Sequence, residues 1–253
     1  MNGNASDQKV AVITGGSQGI GAGIVAGYRE QGWGVLASAR TIKRSDDPDV
    51  VTVEGDISQP GTSDRIVAAA LSRFGRIDTL INDAGFYLEK PFTEYTADDY
   101  ASLVGVNLTG FFLLTQRVMA EMLKRGSGHV VNIATTLAEY ADASRPALLA
   151  ALTKGGLISA TKSLAIEYAS RAIRVNAVSL GVIRTPMSAA ASYEGLAKLH
   201  PLGRVGEVSD VVRGILFLES SPFITGEILH IDGGQTAGYA SGAPARPTFR
   251  CPS

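Results

Sequence analysis

Short, nearly continuous apolar runs recur along the chain and alternate with longer segments of helical period. Lys9–Thr14 (Lys-Val-Ala-Val-Ile-Thr), Trp33–Ala39, Val50–Glu54, Ile77–Ile81, Val130–Ile133, Ile173–Ser179 and Glu227–Ile231 read as strands. Their apolar residues do not alternate with polar ones, the pattern of parallel strands covered on both faces. Between them, Ala22–Gln31, Thr62–Phe74, Tyr95–Lys124 and Glu207–Glu219 read as helices. So does the apolar stretch from Ala147 through Gly156 to Leu164. Seven strands alternating with helices predict one α/β domain over residues 1–253, a doubly wound parallel sheet with helices on both faces. No internal repeat and no second domain interrupt it.

The first strand ends in Gly15-Gly16-Ser17-Gln18-Gly19-Ile20-Gly21 and a helix follows. Strand, glycine-rich turn and helix form a Rossmann-type dinucleotide site, in which small residues let the backbone approach a pyrophosphate and the helix start offers free N–H groups. The second strand ends at Ser38-Ala39-Arg40, where a carboxylate would hold the ribose of NAD and an arginine the 2′-phosphate of NADP. Arg40, followed by Lys43 and Arg44, favours NADP(H) over NAD(H). After the third strand, Asp56 stands where it would bond the adenine amine, beside Ile57.

Two polar residues sit in apolar helices. Lys154 has Ala147, Ala150 and Ala151 on its N-terminal face, so its helix gives it no partner there. Either it snorkels to water or its ammonium points into a site. Asn107 lies among apolar neighbours, where it either contacts a local carbonyl or holds a water in a site.

Charge and composition exclude more than they assign. The 23 basic and 24 acidic side chains nearly cancel, and no basic block suggests nucleic acid or a membrane surface. The single Cys251 excludes an internal disulfide framework. Met1–Asp7 is polar, without the apolar core of a signal peptide, and the expected location is cytoplasmic. Ser241–Ser253, rich in Pro, Ala and Gly, reads as a loose tail.

From Lys9 to Gly234 the chain resembles the short-chain dehydrogenase/reductase family. Thr14–Gly21 carries its Thr-Gly-(three residues)-Gly-Ile-Gly turn, and Asn82-Asp83-Ala84-Gly85 its Asn-Asn-Ala-Gly motif with one change. Asn107 matches its mid-helix asparagine, Arg174–Ser179 its Arg-Val-Asn-Ala-Val-Ser run, and Asp232–Gly234 its closing Asp-Gly-Gly. The resemblance implies hydride transfer between NAD(P)(H) and a small carbonyl or alcohol, usually in a homotetramer. It carries the cofactor contacts onto Gly15, Ser17, Gln18, Gly19, Ile20, Arg40, Asp56, Ile57, Asn82, Ala84, Gly85, Lys154, Gly181, Val182 and Thr185. Asn107, Thr135 and Lys154 take the catalytic positions, and no metal is implied.

Three departures touch the chemistry. Thr135, or Thr136 if the alignment slips, replaces the family's serine, and Leu180-Gly181 replaces its Pro-Gly. Ala150 replaces the general-acid tyrosine, four residues before Lys154. Tyr140, Thr135, Thr136 and Lys154 are the candidate substitutes for that acid. Leu137–Pro146 is expected to line the substrate pocket, with Glu139, Asp142 and Arg145 facing a polar substrate or solvent. Pro186–Pro201 is expected to close over the pocket, and His200 within it reads as a surface or packing residue. Three functions follow: an NADPH-dependent carbonyl reductase or alcohol dehydrogenase with a displaced proton donor, a nucleotide-binding protein without turnover, or a non-redox lyase or isomerase.

Overall fold

A computed structural model describes residues 8–188 and 192–238. Seven parallel strands form one sheet in the order β3-β2-β1-β4-β5-β6-β7. They are β1 (Val10–Thr14), β2 (Gly34–Ala39), β3 (Val50–Glu54), β4 (Thr79–Asn82), β5 (Gly128–Thr135), β6 (Ile173–Leu180) and β7 (Ile228–Ile231). β1 pairs with β2 on one side and β4 on the other. The direction of winding reverses there, which opens a crevice beyond the C-terminal ends of the strands.

Helices cover both faces. α1 (Gly19–Glu30) and α7 (Val208–Ser220) close one face, where Ile24, Tyr28, Val211, Ile215 and Leu218 pack on Ile13, Val35 and Val178. α2 (Pro60–Phe74), α4 (Phe111–Arg125) and α5 (Leu148–Tyr168) close the other, where Ile66, Leu114, Val118, Met122 and Ala165 pack on Val12, Leu36, Leu80 and Val130. Burial of each such aliphatic side chain is worth about 1.5–3 kcal/mol.

The helix expected over Tyr95–Lys124 is not uniform. A capping box at Thr96 and Asp99 starts α3 (Ala97–Val104), a wider π turn spans Gly105–Gly110, and α4 then runs to Arg125. Gly110 sits against Ile57, and a Cβ there would lie 2.8 Å from Ile57 Cγ2. The π turn carries Asn107 inward, where it is buried. The stretch Ala97–Arg125 is long and apolar enough to cross a membrane by length and composition, and from it Leu103, Leu114, Val118 and Met122 are buried in the fold.

Other boundaries shift. α1 begins at Gly19, three residues before the expected start, because the glycine turn itself enters the helix. β5 extends through Ala134 and Thr135 by pairing with Ser179 and Leu180. Within the expected lid the described residues form short turns at Pro186–Ser188 and α6 (Tyr193–Ala197). The expected tail at Ser241–Ser253 lies outside the described residues.

Candidate active site

The C-terminal strand ends frame a cleft of about 1100 Å³. Gly15, Ser17, Gln18, Gly19 and Ile20 line it from the glycine turn, and Arg40, Asp56 and Ile57 from the ends of β2 and β3. Ala84, Gly85, Thr135, Lys154, Gly181, Val182 and Thr185 complete the predicted set that the fold brings together.

The turn has the shape and polarity of an anion cradle. Gly15 and Gly19 have φ of +72° and +56°, the left-handed region that favours glycine. A Cβ on Gly21 would overlap the Gly15 carbonyl oxygen, so only bare backbone fits this crossing. No side chain caps the start of α1, and no acid occupies its first turn. Its N–H groups and positive dipole end are therefore left for a ligand. These residues fit the pyrophosphate of a dinucleotide. Arg40 is exposed at the cleft wall without an ion-pair partner among the described residues. Asp56 spends Oδ1 on the Ser58 N–H at 2.9 Å and leaves its second oxygen for another donor.

Lys154 does not snorkel. Its Nζ donates to the Ile133 carbonyl at 2.8 Å, and burial pushes the ammonium down to about 8 while the nearby Asp83 charge opposes the shift. The same ammonium faces Gly85: a Cβ there would lie 2.9 Å from Lys154 Nζ and 3.0 Å from Asn107 Oδ1. Asn107 holds this loop. Its Oδ1 accepts from the Phe86 N–H at 3.2 Å, and its Nδ2 donates to the Phe86 carbonyl at 3.1 Å and to Thr153 Oγ1 at 3.0 Å. The amide thus bonds a distant loop and α5 rather than a carbonyl of its own helix, and its side chain does not line the cleft.

Asn82 also turns away from the cofactor side. Its Nδ2 donates to Thr115 Oγ1 and Asn132 Oδ1 at 3.0 and 2.9 Å, inside the core between β4, β5 and α4. Thr135 and Thr136 both line the cleft, and their hydroxyls reach the Leu180 carbonyl at 3.5 and 3.3 Å. Ala150 lines it too, buried to 3% exposure, so a methyl group walls the cleft at this point. Tyr140 lies outside the lining residues.

Several site residues carried no usable periodicity. Asp83, Tyr87, Glu89 and Gln235 line the cleft. Burial raises the Asp83 carboxyl to about 7, against the lowering effect of Lys154 and the Gly21 N–H. The only signal for it was its replacement of an asparagine in the motif. Gln235 meets Thr136 Oγ1 at 3.1 Å across the cleft wall. Arg145 lines the cleft, donates to Tyr87 Oη at 2.8 Å, and pairs with Glu89 at 3.4 Å. His200 is a packing residue, buried at 3% exposure: Nε2 accepts from the Val182 N–H at 3.0 Å and Nδ1 meets the Leu196 carbonyl at 3.1 Å. It thereby fixes a cofactor-side loop.

Comparison with known proteins agrees with this geometry. A family model described as enoyl-(acyl carrier protein) reductase matches residues 15–236. The 3-oxoacyl-(acyl-carrier-protein) reductase FabG of Chlamydia pneumoniae is 35% identical over 246 residues, covering 90% of this chain and 97% of that protein. The structure of ElxO with NADP bound superposes with a TM-score of 0.85 at 28% identity, over 91% of this chain and 100% of that one. The 3-ketoacyl-(acyl-carrier-protein) reductase of Brucella melitensis, complexed with NADH, gives 0.82 at 30% identity over 90% and 98%. The sheet order, the glycine cradle and these matches agree, and the chain belongs to the short-chain dehydrogenase/reductase family of oxidoreductases.

Proposed function

We propose that this protein uses NADPH to reduce a small, activated carbonyl compound, with Lys154 taking over proton delivery from the absent tyrosine. The observation that carries this reading is that the cleft keeps the glycine cradle, Arg40 and an inward Lys154 around the volume vacated at Ala150. A scaffold protein has no use for an ammonium so placed.

Gly15, Gly19 and the first turn of α1 would hold the pyrophosphate, Arg40 the 2′-phosphate, and Lys154 the nicotinamide ribose. The nicotinamide supplies hydride when bound. The chain's own part is to orient the carbonyl and deliver a proton. Thr135 Oγ1 would bond the carbonyl oxygen, and Lys154 Nζ would protonate that oxygen directly or through a water. An ammonium near 8 gives up its proton more readily than an ordinary lysine, which suits it to this task.

The relatives named for 3-oxoacyl substrates suggest the class. A ketone with a second carbonyl two bonds away stabilises the charge that develops on oxygen, so it tolerates a weaker acid. The test is NADPH oxidation on 3-oxoacyl thioesters, diketones and quinones, beside thermal stabilisation by NADPH and NADH. Oxidation with NADPH preferred is the expected outcome. NADPH binding without oxidation on any of these carbonyls would favour a second reading, a nucleotide-binding regulatory or structural protein, for which Ala150 is the motivating feature.

A further inference from the structure

Two chemical changes in this cleft complement one another. At position 150 an alanine stands where the family pattern has a phenol, and at position 83 an aspartate stands where it has an asparagine. The first removes an acid and the second adds one. Both residues line the cleft with Lys154.

Asp83 is held firmly against the glycine turn. Its N–H and that of Ala84 donate to Thr14 Oγ1 at 3.1 and 2.9 Å, and the Thr14 hydroxyl donates to the Ile81 carbonyl at 3.3 Å. The side chain then rises between bare backbone segments, since a Cβ on either Gly15 or Gly21 would lie 2.7 Å from Asp83 Oδ2. This is the turn whose polarity suits a pyrophosphate. A carboxylate packed there would put a negative charge beside an incoming anion, in surroundings that screen it poorly. Like charges so placed favour the neutral acid.

The groups facing Asp83 are few. From α5 it meets the charge of Lys154, from α1 the Gly21 N–H, and from β1 the Thr14 hydroxyl that holds its backbone. Arg40, Asp56, Tyr87, Glu89 and Arg145 line the same cleft, but none of them sets its charge.

We propose that Asp83 takes up a proton when NADP(H) binds and passes it through Lys154 to the oxygen of the reduced carbonyl, in place of the proton that the family keeps on tyrosine. The transfer rests on the reductase reading; the uptake on binding does not. As hydride reaches the carbonyl carbon, the C=O π pair becomes a lone pair on oxygen. Lys154 Nζ protonates that oxygen, and the Asp83 carboxyl returns a proton to the lysine amine through an intervening water. Solvent then reprotonates Asp83. One hydride and one proton are consumed. Burial brings the two groups to similar proton affinities, Asp83 upward and Lys154 downward, so the transfer between them is nearly balanced.

Asp83→Asn keeps the side-chain shape and installs the family's own residue. The direct readout is the infrared difference spectrum on adding NADPH at about pH 8, above the value near 7 of the free carboxyl. A protonated-carboxyl C=O stretch should appear in the unaltered protein and be missing from D83N. No such band, or the same band in D83N, overturns proton uptake at Asp83. In turnover, D83N should lose about 10- to 100-fold in kcat, with NADPH bound as tightly or more so. Adding Ala150→Tyr to D83N should restore the loss, because a phenol again supplies the proton. Full kcat in D83N overturns the transfer. If the unaltered protein oxidises no NADPH, the reductase reading and the transfer both fail, and the infrared band still decides where the proton resides.

Discussion

Lys154 shows how a residue's meaning is set by its surroundings. Along its own helix the N-terminal side of its face holds only alanines. In the folded protein its ammonium bonds the Ile133 carbonyl at 2.8 Å and overlooks Gly85, at the bottom of a cofactor cleft. Ala150 leaves open the space on which a phenol would abut. If the rest of the site works as proposed, Ala150→Tyr should raise kcat for NADPH oxidation by about 100-fold while leaving NADPH affinity unchanged. Stopped-flow single turnovers separate the two, and an unchanged rate in a variant that binds NADPH would show that protonation is not limiting. Arg40 carries a second prediction. Arg40→Asp should weaken NADPH by about 10- to 100-fold, the cost of one or two charge-assisted bonds, and improve NADH. Isothermal titration with both nucleotides reads this directly, and equal losses for both would mean that Arg40 does not contact the 2′-phosphate.

At the scale of elements, the π turn Gly105–Gly110 links the sheet to the site. Gly110 lets the helix close on Ile57, itself a cleft residue, and Asn107 reaches both backbone groups of Phe86 and the Thr153 hydroxyl. Asn107→Leu would leave these buried partners unpaired, at about 1–3 kcal/mol for each group that finds no water. The expected outcome is a lower urea midpoint together with a faster-exchanging Phe86 amide. A lower midpoint with Phe86 still protected would place the damage elsewhere in the helix. The helical period predicted a helix over Tyr95–Lys124, and most of it is one. The π turn was not legible, because an apolar pattern marks a segment as helical without fixing the hydrogen-bond spacing of any one turn.

The whole molecule places a buried polar network on the N-terminal half of the sheet, away from the cleft. Glu219 accepts from Tyr28 Oη at 2.8 Å and Thr79 Oγ1 at 2.9 Å, and meets His129 Nδ1 at 2.9 Å, while Asn176 and Arg174 face the other ring nitrogen. Burial pulls His129 below its ordinary 6.5. Burial opposes the Glu219 charge, but its bonds to His129, Tyr28 and Thr79 bring the carboxyl net below its ordinary 4.5. Both groups bind protons more readily when unfolded, so both contribute stability at neutral pH. The His129 contribution is lost first as pH falls from about 6.5, the Glu219 contribution below about 4.5. Urea midpoints between pH 7 and about 5 should therefore fall, and His129→Gln should flatten the dependence at a cost in overall stability. An unchanged slope in that variant would exclude His129 as its source.

The outer faces carry a further expectation. Phe112 on α4 and Leu148, Leu152 and Ile166 on α5 are 59%, 46%, 52% and 80% exposed. Apolar side chains in such number on neighbouring helices are commonly covered by another chain. We propose that they meet their equivalents in a homotetramer. Light scattering on the purified protein should give four chains, and Leu152→Glu with Ile166→Glu should give smaller species; a monomer in the unaltered protein would sink the proposal.

The sequence by itself determined the strands, most of the helices and the glycine turn. Each rests on neighbours in the chain: a run of β-branched residues, a 3.6-residue period, glycines that free a turn. It also located Lys154 as a lone cation in an apolar helix, because spacing within a helix is local. The tertiary structure alone decided which polar groups face the cleft. Asn82 lies next to Asp83 in the chain, yet Asn82 bonds Thr115 and Asn132 in the core while Asp83 rises to the glycine turn. Adjacent residues of a strand end point to opposite sides, and which side is core depends on strands and helices far along the chain. The charge balance between Asp83 and Lys154 has the same origin. It arises from burial and from two elements brought together, neither of which is written in the residues on either side of them.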